Sequence, residues 1–228
     1  MDLSSNAKLE DGILDHLQSR ILAGHLPPGT KLGEETLAEI YGVPRSKIRQ
    51  TLQRLSYIRL VDLIPNRGAF IARPTPKDAA DIIAARRAIE SVTTEIATRT
   101  MLTHKLKELE GIVRQEQKLG NHQIRAKIEL AGDFHRTLSM SAHNAALTEA
   151  LEPLILRTAL VQATYPSLST AFSFAKFHSA LVEEIERGRS RRCGHLMERG
   201  LFELEASLDL SFQERREVRL DVMLNRVD

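Results

Sequence analysis

The fold is decided by residues 34–73, which read EETLAEIYGVPRSKIRQTLQRLSYIRLVDLIPNRGAFIAR. Apolar residues recur at helical spacing in residues 34–41 and predict a short helix there. Residues 41–43 then predict a tight turn, and a basic helix is expected to start at Pro44 or Arg45, because proline suits the first position of a helix. Two helices joined in this way are typical of a helix-turn-helix.

The segments on either side of these two helices extend the pattern. Residues 9–23 are apolar at helical spacing and predict a first helix that ends at Gly24. Residues 61–63 and 69–71 predict two short strands around the turn sequence PNRG at residues 65–68. Helix, short helix, turn, basic helix and hairpin follow one another in the order of a winged helix-turn-helix.

The basic helix is the predicted DNA-reading element, since a helix-turn-helix places the start of its second helix in the major groove. Arg45 and Arg49 lie one turn apart on the face opposite its apolar residues, and an arginine can hold O6 and N7 of guanine with two parallel hydrogen bonds. Ser46 and Lys47 suit phosphate oxygens, which position the protein without reading sequence. These four residues are therefore the predicted DNA contacts of the helix.

The hairpin supplies a second predicted contact with duplex DNA. Arg67 at its tip can reach the phosphate backbone or the minor groove, and Gly68 allows a close approach. Residues 43–73 carry seven Lys and Arg residues against one acidic residue, Asp62. A local charge of this sign and size favours a polyanionic partner.

Bulk properties exclude several other classes of protein. The 228 residues contain no apolar stretch long enough for a membrane span, and the acidic, polar N-terminus does not resemble a signal peptide. The single cysteine, Cys193, excludes an internal disulfide and is interpreted as having no function. A cytoplasmic protein is expected.

A domain boundary is predicted at the proline-rich sequence RPTP of residues 73–76, which disfavours both helix and strand. We expect a DNA-binding domain in residues 1–73, a linker in 74–76, an all-helical effector-binding and dimerisation domain in 77–211, and a tail in 212–228. The fold class is thus mainly α, with an N-terminal winged helix-turn-helix and a C-terminal helical bundle. The bundle is predicted to have helices at residues 77–101, 104–119, 122–142, 144–164, 171–187 and 190–210.

The N-terminal sequence resembles the DNA-binding domain of the GntR family of transcription regulators, without internal gaps from about Ile13 to Pro74. The wing sequence PNRGAF is among the most specific matches. The resemblance implies DNA contacts by Arg45, Arg49, Arg67 and Gly68, with Ser46 in place of the usual threonine. Three residues depart from the family pattern without removing these arginines: Pro44 replaces a capping Ser or Thr, Lys47 a proline, and Arg59 a glycine.

The C-terminal sequence resembles the FCD ligand-binding domain of the FadR subgroup, on RRAIE at residues 86–90, on GDFHRTLSMSAHN and on the closing stretch HSALVEEIERGRSRRCGHLMERGLFELEASLDL. That subgroup commonly holds a divalent metal through one Asp and three His, and the metal helps to bind a carboxylate. Here His135 and His178 match two of the histidines, whereas Ala131 and Gly200 stand at the other two positions.

The incomplete set leaves three interpretations of the two histidines open. A zinc ion or similar metal would need further ligands; Asp133 faces away from His135 on a helix, while Glu203 could turn inward. Alternatively, His135 and His178 bind a small anionic effector directly, beside Arg86 or Arg87. In the third interpretation both histidines are core residues and the arginines form structural ion pairs.

The sequence as a whole predicts a homodimeric transcription regulator that binds a pseudo-palindromic operator in double-stranded DNA. It favours a repressor over an activator, controlled by a small carboxylate effector. It predicts no enzymatic activity, since no phosphate loop, HExxH motif or nucleophile elbow is present. Two alternatives stay open: an architectural DNA-binding protein with an inert helical domain, and a metal-assisted hydrolase.

Overall fold

The computed structural model describes residues 3–120, 122–165, 167 and 172–211. The chain divides between Arg73 and Pro74 into two compact units. The predicted tail at residues 212–228 lies outside the described residues. In the described part, no helix is long and apolar enough to cross a membrane.

The first unit is a three-helix domain with a small antiparallel sheet. Its strand order is β1-β3-β2, and β2 and β3 form the hairpin. Large aliphatic side chains from all three helices are fully buried and form its core. The elements are α1 (Leu3–Leu22), β1 (Lys31–Leu32), α2 (Glu34–Tyr41), α3 (Arg45–Tyr57), β2 (Val61–Ile64) and β3 (Gly68–Ile71).

The predicted winged helix-turn-helix is confirmed, with one strand missed. Helix α2 has the bounds that the sequence predicts, α3 begins at Arg45 after Pro44, and each hairpin strand is one residue longer than expected. Strand β1 was not predicted, because two residues are too few to show an alternation of apolar and polar side chains. Its Lys31 pairs with Phe70 of β3 and extends the sheet.

Two of the positions with positive φ in this unit lie at the ends of α2 and α3. Gly42, with φ 62°, ends α2 and makes the tight turn into α3. Arg59 follows α3 with φ also 62°, at the position where the related family usually has glycine. A side chain disfavours this conformation by about 1 kcal/mol or more, so Arg59 holds a strained backbone that glycine would adopt freely.

The second unit is a bundle in which α4 packs against α6, α7 and α9. Its core is aliphatic, with Phe134 the largest fully buried side chain. The six predicted helices are confirmed, with ends shifted by no more than three residues. They are α4 (Pro76–Thr100), α5 (Thr103–Lys118), α6 (Ile124–Met140), α7 (Ala145–Thr164), α8 (Phe174–Glu186) and α9 (Ser190–Ser207).

The start of α4 differs from the predicted linker at residues 74–76. Thr75 caps the helix: its hydroxyl accepts from the amide of Asp78, and the Asp78 carboxylate accepts from the amide of Thr75. Pro76 is already the first helical residue, and the Pro74 carbonyl accepts a hydrogen bond from the hydroxyl of Tyr165. The two prolines therefore form the entry to the bundle rather than a separate segment.

Candidate nucleic-acid interface and buried polar cluster

The predicted DNA-reading residues lie in the first two turns of α3. The helix has this orientation because its opposite face, Ile48, Leu52 and Leu55, is buried in the core of the first unit. The side chains of Arg45 and Arg49 are 57% and 60% exposed. Ser46 is also exposed and Lys47 half-buried.

Both arginines contact a carboxylate that the sequence analysis did not single out. Arg49 donates from Nε and Nη2 to the two oxygens of Glu34, at 3.1 and 2.8 Å. Arg45 lies 3.7 Å from Glu34 and 3.9 Å from Glu35. The hydrogen bonds from Arg49 lower the pKa of Glu34 and raise that of Arg49. Two carboxylates at the start of α2 thus hold the arginines in the DNA-free protein.

The wing places Arg67 at the exposed tip of the hairpin. The Arg67 guanidinium lies 5.8 Å from the centre of the Phe70 ring, which orients the side chain along β3. Gly68 has φ 97°, a conformation that favours glycine. A Cβ atom built at Gly68 would lie 3.9 Å from Cε of Lys31. The unpredicted strand β1 therefore adds a second basic side chain next to the wing.

In the second unit, the structure brings the two predicted histidines together. His135 of α6 and His178 of α8 are both buried, with their ring centres 5.3 Å apart. His135 Nδ1 lies 2.5 Å from Oε2 of Glu90, and His178 Nδ1 donates to Glu116, with 2.9 Å to each carboxylate oxygen. Each imidazole is therefore held by a buried glutamate from another helix.

The two predicted arginines lie in different surroundings. Arg86 is buried and donates from Nε to Oε1 of Glu90, which places it beside His135. We call Arg86, Glu90, Glu116, His135 and His178 the buried polar cluster. Arg87 is not part of this cluster. Its guanidinium lies 3.8 Å from each of two glutamates of α9 and 5.2 Å from the centre of the Phe202 ring.

Burial and charge together set the protonation of the Glu90–His135 pair. Burial opposes ionisation of Glu90, but Arg86 and His135 outweigh it and lower the pKa of Glu90 to about 2. Burial lowers the pKa of His135 to about 4, against the opposing effect of Glu90. At neutral pH the pair is thus a carboxylate and an uncharged imidazole.

The residues around the histidines do not fit the metal site of the related subgroup. A Cβ atom at Gly200 would lie 2.2 Å from the ring of Phe177, so this ring fills the space of a longer side chain there. Ala131 is buried and offers no ligand atom. In the described residues, no group of three or more His, Cys, Asp or Glu side chains has the geometry for a metal ion.

Neither carboxylate considered from the sequence completes such a site. Glu203 is largely exposed and pairs with Arg199 at 3.4 Å, so the expectation that it could turn inward is wrong. Asp133 pairs with Arg136 at 2.8 Å on the half-exposed side of α6, as its helical position predicts. The observed carboxylate partners, Glu90 and Glu116, contact Nδ1 of the histidines instead.

Three polar atoms of the buried polar cluster have no hydrogen-bond partner among the residues described. These are Nη2 of Arg86, Nε2 of His178 and Nδ1 of His135, although the last of them lies 2.5 Å from Oε2 of Glu90. Phe134 stacks on the His178 ring with centres 3.9 Å apart and an angle of 11°, and the Phe177 ring centre lies 5.0 Å away. The cluster thus combines aromatic side chains with unused hydrogen-bonding capacity.

Comparison with known proteins agrees with this architecture. Residues 9–71 match the gntR family of bacterial regulatory proteins, and residues 81–201 match the FCD domain. A Paenarthrobacter nicotinovorans protein, named "Probable D-xylose utilization operon transcriptional repressor", is 22% identical over 186 residues, which are 81% of this chain and 82% of the relative. An uncharacterized HTH-type transcriptional regulator of Streptomyces ambofaciens is 36% identical over 74 residues, 32% of this chain and 31% of its own.

Solved structures show the same fold at low sequence identity. A GntR transcriptional regulator from Rhodococcus sp. RHA1 has a TM-score of 0.76 at 19% identity, covering 86% of this chain and 95% of its own. E. coli McbR/YncC has a TM-score of 0.75 at 18% identity, covering 87% and 95%. The chain therefore belongs to the GntR family of bacterial regulatory proteins, as a DNA-binding transcription regulator with an FCD effector-binding domain.

Proposed function

We propose that this regulator is a cytoplasmic, homodimeric repressor that binds a pseudo-palindromic operator. The observation that carries the proposal is the pair of exposed guanidiniums, Arg45 and Arg49, at the start of α3 in a GntR-type domain. A two-fold dimer presents two such helices to half-sites about 34–36 Å apart along the duplex. The repressor name of the Paenarthrobacter relative supports the proposed direction of regulation.

DNA binding exchanges one set of partners for another at α3. Arg49 leaves the carboxylate of Glu34 and pairs with a guanine edge, while Ser46 and Lys47 contact phosphate. Arg67 of the wing, with Gly68 beside it, contacts the backbone or the minor groove. The exchange is feasible because the Arg49–Glu34 pair is exposed, and an exposed ion pair contributes little to stability.

The effector is proposed to bind at Arg86, His135 and His178. A buried polar atom without a partner is costly, so Nη2 of Arg86 and Nε2 of His178, which have no hydrogen-bond partner in the described part of the chain, support a ligand at this place. Arg86 Nη2 can only donate, so the ligand atom that meets it must be a hydrogen-bond acceptor. Arg87 is left out of the proposed site because its guanidinium lies against α9.

Regulation requires the effector to prefer one arrangement of the protein over another, since tight binding alone shifts no equilibrium. No step of the proposal uses a metal, because Ala131, Gly200 and the Phe177 ring do not provide a ligand set. No catalytic activity is proposed either. The families that match and the relatives that have names are regulators.

The decisive experiment selects bound duplexes from a genomic library with the full-length protein. A pair of inverted half-sites, protected in a footprint by two chains per duplex, is the expected result. The Arg49→Ala variant should lose this protection, whereas Arg54→Ala should keep it. Arg54 is the matched control, because it lies on the same helix but pairs with Asp11 at 2.8 Å. Equal protection by both variants would refute the proposed interface.

A further inference from the structure

The charge of the buried polar cluster differs from what an anion-binding site needs. The cluster contains two carboxylates, Glu90 and Glu116, against one guanidinium, Arg86. Arg86 already contacts Glu90, and each histidine lies against one of the two carboxylates. A carboxylate ligand would therefore enter a site without surplus positive charge, and a buried charge that lacks an opposite partner is strongly disfavoured.

A metal ion cannot supply the missing charge. Ala131 and Gly200, at two of the positions considered as metal ligands, offer no ligand atom. The Phe177 ring occupies the space beside Gly200, within 2.2 to 2.5 Å of where a Cβ atom would lie. An apolar ring therefore lies where a metal ligand would be needed.

Hydrogen bonding is still required in the cluster. Arg86 Nη2 can only donate, and His178 Nε2 can accept when Nδ1 carries the proton that it donates to Glu116. Leaving such atoms without a hydrogen-bond partner destabilises the folded protein. A hydroxyl group can satisfy either atom, because it both donates and accepts, and it brings no charge.

Three aromatic side chains surround His178 and bear on the kind of ligand that could bind there. Phe134 and Phe177 lie at 3.9 and 5.0 Å from His178, and Phe174 at 6.1 Å, measured between ring centres. Ligand sites commonly combine such apolar surfaces with a few polar groups that fix orientation. A ring or chain with C–H groups on one side and hydroxyls on the other matches both features.

We propose that the effector of this regulator is a small neutral polyhydroxyl molecule, such as a free sugar or polyol, bound at the buried polar cluster without a metal. The inference rests on the proposed function, since it assumes that the cluster is the effector site. It replaces the carboxylate by an uncharged ligand because two carboxylates and one guanidinium leave no positive charge to bind an anion. The free hydrogen-bonding atoms and the aromatic side chains then define the ligand class.

The test compares neutral molecules with their own acids. Thermal unfolding and operator release are measured on the full-length protein in EDTA, with D-xylose against D-xylonate, D-glucose against D-gluconate, and glycerol against glycerate. At least one neutral member should raise Tm and change operator affinity, with its acid at least tenfold weaker. An acid that acts more strongly than its neutral partner, or no effect of any neutral member, overturns the proposal. If the protein responds to an acid instead, the proposed function as an effector-controlled repressor still holds. If the ligand-free protein does not bind the operator, the proposed function itself is refuted.

A variant that changes the charge of the cluster tests the same preference for a neutral molecule over its acid. Glu90→Gln removes a carboxylate from the cluster and leaves Arg86 unneutralised, so the preference should shift toward the acid of the responding pair by about tenfold or more. The matched control is Glu198→Gln, which removes one of the two glutamates beside Arg87, outside the cluster, and should leave the preference unchanged. If Glu90→Gln does not fold, Glu116→Gln makes the same change in charge beside His178. An unchanged preference in a folded variant overturns the proposal.

Discussion

The two units of this regulator each contain an Arg–Glu pair, and the pairs differ in their access to solvent. In the DNA-binding unit, the Arg49 and Glu34 side chains are 60% and 28% exposed. In the effector-binding unit, those of Arg86 and Glu90 are each 4% exposed. Both pairs join a guanidinium to a carboxylate within hydrogen-bonding distance.

Exposure to solvent determines how costly it is to separate each Arg–Glu pair. Water can replace either partner of the exposed pair, so Arg49 is free to exchange Glu34 for DNA at low cost. Inside the bundle, removal of one partner leaves the other as a buried charge that has lost its ion pair and that water cannot reach. The exposed pair is therefore suited to a reversible contact, and the buried pair to a fixed framework around His135.

The largest expected effect comes from breaking each pair in the same way. Arg86→Met should lower the free energy of unfolding by about 3–5 kcal/mol, because Glu90 stays buried without its guanidinium. Arg49→Met should leave the stability unchanged within error. Chemical denaturation of both variants, followed by circular dichroism, measures the difference. Equal midpoints for the two variants would show that burial does not separate the pairs.

The next effect concerns DNA affinity. Arg45→Ala and Arg49→Ala should each weaken operator binding by about 5- to 150-fold and relax base preference at one position per half-site. Arg54→Ala, on the same helix but paired with Asp11, should bind as the wild type does. Fluorescence anisotropy with single-base operator variants measures both quantities. Normal affinity and normal preference in the two α3 variants would contradict the assignment of α3 as the reading helix.

The two units also differ in how much of their structure could be predicted from the sequence alone. The winged helix-turn-helix follows from local signals, namely helical spacing in α2 and α3, the turn at Gly42 and the hairpin around Arg67. Each signal lies within about a dozen residues, which is the range over which periodicity and turn chemistry act. The missed strand β1 is the exception, because two residues carry no period.

The buried polar cluster depends on contacts between residues far apart in the chain. His178 is 62 positions from Glu116, and His135 meets a glutamate of α4. No local pattern predicts such pairs; only the resemblance to the FCD domain brought the two histidines together. The Phe177 ring beside Gly200 could not be predicted either, because glycine in a helix does not reveal what packs against it. The Arg86–Glu90 pair was within reach, since its residues are four apart on one helix.

A smaller effect is expected at the wing. Arg67→Ala should weaken binding to operator and scrambled duplexes alike and flatten the salt dependence by about one unit of log–log slope. The reason is that the Arg67 side chain at the exposed hairpin tip is placed for backbone contact rather than for base readout in the major groove. Binding titrations from low to high salt on both duplexes measure the slope. A loss confined to the operator would instead assign Arg67 to base recognition.

The smallest effect is expected from a change at Glu34. It tests whether Glu34 competes with DNA for Arg49 or holds Arg49 in its DNA-binding orientation. Glu34→Gln removes the carboxylate that competes with DNA for Arg49 and Arg45, so affinity should rise by about two- to fivefold on operator and scrambled duplex. Glu35→Gln is the matched control, because it removes the same charge from the same helix. Glu35 lies 3.9 Å from Arg45 and makes no described contact with Arg49. We therefore expect a smaller gain in DNA affinity from this variant. Anisotropy titrations at two salt concentrations separate competition from general charge, since loss of general repulsion should be equal in both variants. Weaker operator binding by Glu34→Gln would mean that Glu34 orients Arg49 for the groove, and that the exposed pair, like the buried one, is a framework.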